Sequence, residues 1–149
     1  QASFVGANLD FGEVGNLTTT QVLAAPATYT TPTTNYIRVA SSGPYKVDIA
    51  SQNTYKLTFA GGSLANANQT LAYKALFLGQ ARTTASPTFT TVTCVRAGTD
   101  AAAGILPIRA TLLEGGQGKT PASVYSDTIT VTVTPLLSTV PSQQNCPAL

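Results

Sequence analysis

The sequence predicts a single all-β domain, a mostly antiparallel β-sandwich with Greek-key connections. Three observations carry this: apolar and polar residues alternate at period two in several segments, turn-forming clusters recur between them, and threonine is heavily used while Met, Trp and His are absent. The 149 residues suffice to bury one continuous core. Hydrophobic residues make up 43% and charged residues 9%, which excludes a disordered chain and implies a largely uncharged surface.

The clearest alternation covers residues 127–135, where Ile129, Val131 and Val133 share one face and Thr128, Thr130, Thr132 and Thr134 the other. Residues 36–40, 45–50 and 55–59 read the same way, with Ile37 and Val39, then Tyr45, Val47 and Ile49, then Tyr55, Leu57 and Phe59 facing inward. Residues 70–78 and 105–113 are apolar on both sides and are expected to be central strands, the first being also compatible with a helix. Seven or eight strands are expected, separated by turns at Ser41-Ser42-Gly43-Pro44, Gly61-Gly62-Ser63, Gly79-Gln80, Gly98-Thr99-Asp100 and Gly115-Gly116-Gln117-Gly118. Residues 1–135 carry the sandwich. Residues 136–149 break the alternation and read as a last edge strand or as a linker to a following domain.

Composition narrows the function classes. The net charge of +2 is spread without a basic run, so no nucleic-acid partner is expected. No apolar stretch is long enough to cross a bilayer, so no membrane insertion is expected. Without histidine, the carboxylates Asp10, Glu13, Asp48, Asp100, Glu114 and Asp127 have no partner base, and two separated cysteines match no metal-ligand spacing. The expectation is therefore a non-enzyme with no cofactor and no metal. Gly118-Lys119-Thr120 superficially resembles a phosphate loop but lacks the preceding glycine spacing, and reads as part of a turn.

Cys94 and Cys146 suggest an oxidising compartment. A bridge between them would close a loop of over 50 residues and constrain the unfolded chain by roughly 4 kcal/mol; the alternative is that Cys146 belongs to a following domain. Three apolar, proline-bearing segments stand out because loops normally have polar sequences. They contain Val22, Leu23, Ala24, Ala25 and Pro26; Ala102, Ala103, Ile105 and Leu106; and Leu136, Leu137 and Val140. On composition alone they read as plugs closing the ends of the sandwich.

Asn8-Leu9-Asp10-Phe11-Gly12, Ser42-Gly43-Pro44-Tyr45, Leu71-Ala72-Tyr73-Lys74 and Pro121-Ala122-Ser123-Val124-Tyr125-Ser126-Asp127-Thr128-Ile129-Thr130-Val131 together resemble the spore coat protein U domain, a family that includes subunits of archaic chaperone-usher pili of the Csu type. The resemblance implies an immunoglobulin-like fold, export through the periplasm and assembly at the cell surface. Members typically carry a cysteine near the start, bonded to one after the second strand, but here Ser3 and the Ala40-Ser41 region stand at those places. Ten residues before Phe11 are too few for both a donor segment and a first strand.

Both departures fit the N-terminal domain of a two-domain tip adhesin. Its partners would be hydrophobic surfaces and, through an adjoining pilin domain, pilus subunits and a periplasmic chaperone. The resemblance turns the three apolar segments into exposed tips for attachment and biofilm formation. A structural shaft or coat subunit and a sugar-binding lectin-like tip are the alternatives.

Overall fold

The computed structural model describes residues 2–6, 9–32, 34–95, 104–122, 124–137 and 146. The turn at residues 98–100 therefore lies outside the described residues. The strands are β1 (Ala2–Val5), β2 (Tyr36–Val39), β3 (Tyr45–Ser51), β4 (Lys56–Leu57), β5 (Leu71–Phe77), β6 (Gln80–Arg82), β7 (Val92–Cys94), β8 (Ile105–Leu112) and β9 (Ile129–Pro135); among the described residues one short α-helix, α1, spans Thr19–Ala24 and one 3-10 turn spans Ala67–Gln69. Among the described residues these nine strands exceed the expected seven or eight, β4, β6 and β7 being only two or three residues long.

All pairings are antiparallel. One sheet has the order β1-β2-β8-β5-β4, with β6 also on β5, and the other has the order β7-β3-β9. The connections β2–β3, β3–β4, β6–β7, β7–β8 and β8–β9 each cross from one sheet to the other. Between the sheets lies a core of Ile37, Val39, Phe77, Leu106 and Ile108 from the first sheet and Tyr45, Val47, Ile49, Val92 and Cys94 from the second. Ile129, Val131 and Val133 pack against it and stay half-buried.

The two doubly apolar segments are β5 and β8, paired to each other in the middle of the larger sheet. Their inner residues are buried and their outer ones half-buried, as in strands flanked on both sides. Pro107 fits inside β8 because register turns its missing N–H away from β2, at a level where β5 has already ended. The β5–β6 hairpin closes through Leu78 and Gly79, both at positive φ (50° and 76°), the geometry of a two-residue hairpin turn that follows strand twist.

Register fixes which elements share an end. Tyr45 opposes both Cys94 and Pro135, and Arg38 opposes Ile105. The end of β2, the start of β3, the end of β7, the start of β8 and the end of β9 thus lie together. Cys146 is bonded to Cys94 there, with a Cα separation of 5.6 Å, so the two cysteines pair within the domain. We call this the disulfide end. At the opposite end are the starts of β5 and β9, the end of β8, and α1, whose Val22 packs on Leu71 and Leu112.

Candidate surface-binding site

The first apolar segment is a helix rather than an open loop. Thr18 caps it: its hydroxyl accepts from the Gln21 N–H at 3.1 Å, and the Gln21 carbonyl oxygen Oε1 accepts from the Thr18 N–H at 2.9 Å. This reciprocal box satisfies two N–H groups that a helix start would otherwise leave unpaired. The signal, Thr18-Thr19-Thr20-Gln21, stands in the sequence immediately before Val22.

Helical geometry splits the segment. Val22 is 0% exposed, and Leu23, about 100° further round the helix, is 54% exposed. Val22 is therefore corrected from a surface tip to a core residue. Ala24 and Pro26 are exposed and Ala25 is half-buried.

In the second segment, Ala102 and Ala103 lie outside the described residues. Ile105 and Leu106 belong to β8, because pairing with Arg38 and Ile37 extends the strand to them. Leu106 is 0% exposed, inside the core, and Ile105 is half-buried on the outer face. Leu106 is thus also corrected to a core position. In the third segment, the Leu136 N–H donates to the Pro44 carbonyl at 2.8 Å and its side chain is half-buried, while Leu137 is fully exposed. Val140 lies outside the described residues.

The three segments do not converge. Leu23 and its neighbours are at the α1 end, whereas Ile105, Leu136 and Leu137 are at the disulfide end. The structure instead brings two unforeseen apolar side chains to the α1 end: Leu64 (38% exposed), between β4 and β5, and Val124 (62%), just before β9. Leu64 directly follows the Gly61-Gly62-Ser63 turn, and Val124 lies inside the Pro121-to-Val131 motif. Neither sits in an apolar run.

The α1 end is tightly built. Val22, Leu71 and Leu112 form its buried centre, with Phe11, Val14, Leu17, Tyr29, Leu57 and Tyr125 packed around them. The Gly115-to-Lys119 turn ties the loops together. Gly115 N–H donates to Thr19 Oγ1 at 3.2 Å, Gly116 N–H to Val14 O at 3.0 Å, and Gln117 N–H to Leu17 O at 3.0 Å. A Cβ on Gly115 would come within 2.1 Å of Leu17 O, so only glycine permits this approach.

Three charged side chains at this end are used internally. Lys119 Nζ donates to Glu114 Oε2 at 3.3 Å and to Ala67 O at 2.5 Å, Glu114 Oε2 also accepts from Ala72 N–H at 3.0 Å, and Lys56 Nζ donates to Leu64 O at 3.3 Å. Leu23, Leu64 and Val124 therefore project from a packed platform in which Lys56, Glu114 and Lys119 are already engaged.

The densest polar cluster lies where β3 ends and β9 begins. Asp127 Oδ2 accepts from the hydroxyls of Ser51 and Tyr73, and Oδ1 accepts from Asn53 N–H at 3.0 Å and Thr128 N–H at 2.7 Å. Ser51 Oγ in turn accepts from Tyr55 N–H at 2.8 Å, holding Thr54 and Tyr55 at positive φ. With four donors on one carboxylate, the arrangement is a brace between sheets rather than a reactive group.

Comparison with known proteins adds one finding: the family profile described as Spore Coat Protein U domain matches residues 2–132. Neither the curated proteins nor the solved structures contain a match.

Proposed function

The chain belongs to the Spore Coat Protein U domain family, a group of extracellular pilus and coat domains, and we propose that it acts as a pilus tip adhesion domain that attaches to hydrophobic surfaces through its α1 end. The observation carrying this reading is the placement of Leu23, Leu64 and Val124, exposed apolar side chains from three separate connections, at one end of the sandwich. Ala24 and Pro26 extend the same surface.

Direction supports it. β9 runs away from the α1 end, and Cys146 is held at the far end by Cys94, so a pilin domain following this one would leave the α1 end facing outward. In this reading the route is export through the periplasm to the pilus tip, where attachment seeds biofilm growth.

Energetics are consistent with attachment by many weak contacts. If each of the three side chains buries roughly 100 Å² against a greasy surface, the gross gain is about 7 kcal/mol. Lost rigid-body freedom offsets most of that, so single attachments are weak and many pili per cell make adhesion durable.

The test replaces Leu23 and Val124 by Ser together. Adhesion of the isolated domain to polystyrene should fall to near background while the melting temperature moves by no more than a degree or so. Unchanged adhesion, or unfolding, would sink the reading. The competing reading, a structural shaft or coat subunit, is favoured if the parent domain does not adhere at all.

A further inference from the structure

Three cations share the outer face of the larger sheet without a counter-charge. β5, β8 and β2 lie side by side there, and the alternation that turns Tyr73, Ala75, Ile108, Ala110 and Ile37 inward turns Lys74, Arg109 and Arg38 outward. Among the described residues none of the three makes an ion pair or a side-chain hydrogen bond. Other cations are engaged or have an acid nearby. Lys56, Arg82 and Lys119 donate to carbonyl oxygens, and Lys46 stands two residues from Asp48 on the other sheet.

The described carboxylates lie elsewhere. Asp48 is on β3, Asp127 is held in the brace, Glu114 pairs with Lys119, and Asp10 and Glu13 flank Phe11, whose ring meets that of Tyr73 on the inner side. Asp100 is outside the described residues. Charges spread along the sequence are thus sorted by the fold, and this face gathers positive charge although the chain has no basic run.

Register gives the spacing. Lys74 faces Thr111 and Arg109 faces Leu76, so the two cations are diagonal neighbours about 7 Å apart at Cβ. Arg38 faces Ile105, four residues along β8 and one strand across from Arg109, or about 14 Å away. Tyr36 and Pro107 face each other at the level between Arg109 and Arg38. An oblique row therefore crosses three strands: two cations, a tyrosine beside a proline, and a third cation.

The geometry points to a docking surface for an acidic polysaccharide, a chain whose sugar rings carry carboxylates. The row is roughly 20 Å long, too extended for one small anion but matched to a polymer with repeated charge. Two of its three cations are arginines, whose planar fork fits a carboxylate. Arg109 is half-buried and its Nε is shielded and unpaired, and a guanidinium partly stripped of water attracts a carboxylate more strongly than a fully hydrated one does. The tyrosine and proline between the cations offer an apolar seat for the C–H face of a sugar ring. A single-stranded nucleic acid would instead use several aromatic rings in succession, and this row has one. The surface is separate from the α1 end and does not depend on the adhesive reading.

Binding of the chain to immobilised polygalacturonate at neutral pH and low salt tests the surface. It should be measurable, and it should vanish at about 0.5 M salt, where charges are screened within a few ångströms. Arg38→Gln with Lys74→Gln should weaken it by about tenfold or more, with the melting temperature unchanged because both side chains point away from the core. Arg38→Gln alone should weaken it measurably, whereas Lys46→Gln, which removes one charge from the other sheet, should have less than about a twofold effect. Polyglutamate, which has carboxylates but no sugar rings, should bind more weakly than polygalacturonate. Leu23→Ser with Val124→Ser should bind polygalacturonate as the parent does, so the two surfaces are judged separately. Absence of binding overturns the proposal, as does a loss in Lys46→Gln equal to that in Arg38→Gln, which would mean that net charge alone is at work. Polyglutamate or a DNA duplex bound as tightly as polygalacturonate would overturn the assignment to a polysaccharide.

Discussion

Tyr73, on a central strand of one sheet, donates its hydroxyl hydrogen bond to Asp127, just before the last strand of the other. The buried core between the sheets is built of apolar and aromatic side chains, and this bond with the Ser51 hydroxyl on the same carboxylate forms a polar brace at its edge. Charge-assisted bonds of this kind are stronger than neutral ones and specify register.

Asp127→Asn should therefore destabilise the domain by about 2–3 kcal/mol, since the amide offers one acceptor oxygen where the carboxylate offers two. Tyr73→Phe should cost less, about 1–2 kcal/mol, because three donors to the carboxylate remain. Urea denaturation of both variants measures the difference. Equal and negligible effects would show that the brace contributes nothing.

Stability should fall in alkali. Burial, reinforced by the hydrogen bond to Asp127 and by its charge, raises the Tyr73 phenol above its ordinary value of 10.0, and burial also raises Tyr45 and Tyr55. The folded chain keeps these phenols protonated where the unfolded chain releases its protons. The stabilisation is complete below the unfolded value and is lost as pH rises beyond it. Urea midpoints should be flat through neutral pH and decline above about pH 10, less steeply for Tyr73→Phe.

Reducing the Cys94–Cys146 bond should lower stability by roughly 3–4 kcal/mol, given a separation of 52 residues, with the loss arising mainly in the unfolded chain. Thiol titration of unreduced, denatured protein should find no free thiol. Two free thiols would contradict the pairing.

Two glycines should respond differently to alanine. Gly115→Ala drives a methyl into the Leu17 carbonyl and should displace the chain leading into α1, with a loss above about 2 kcal/mol. Gly79→Ala meets nothing within 4 Å and suffers only from its φ of +76°, so about 1 kcal/mol is expected. Thermal melts of the pair provide the check.

Adjacent residues on α1 separate packing from exposure. Val22→Ala should cost about 2 kcal/mol by emptying space against Leu71 and Leu112, whereas Leu23→Ala should stay within about 0.5 kcal/mol. A loss at Leu23 matching that at Val22 would place both in the core and remove Leu23 from the candidate surface.

Local pattern alone determined much of this protein. Alternation at Ile129, Val131 and Val133 specified both the last strand and its inward face, because side chains in extended backbone change sides at every residue wherever the strand lies. The apolar runs around Tyr73 and Ile108 marked the central strands for the same reason. The Asn8-to-Val131 motifs, matched in order, were enough to indicate the family. The position of each loop was decided only by tertiary structure. Leu23 and Leu137 both follow apolar residues and stand near a proline, yet they lie at opposite ends because strand direction and sheet crossing separate them. Val22 and Leu106 looked like the tips beside them until helix rotation in one case and strand extension in the other turned them inward. Leu64 and Val124 belong to no apolar run and share an end with Leu23 only because the β4–β5 connection and the approach to β9 lie at the α1 end. Which end a loop occupies depends on pairings between residues far apart in the chain, and a local pattern does not contain that information.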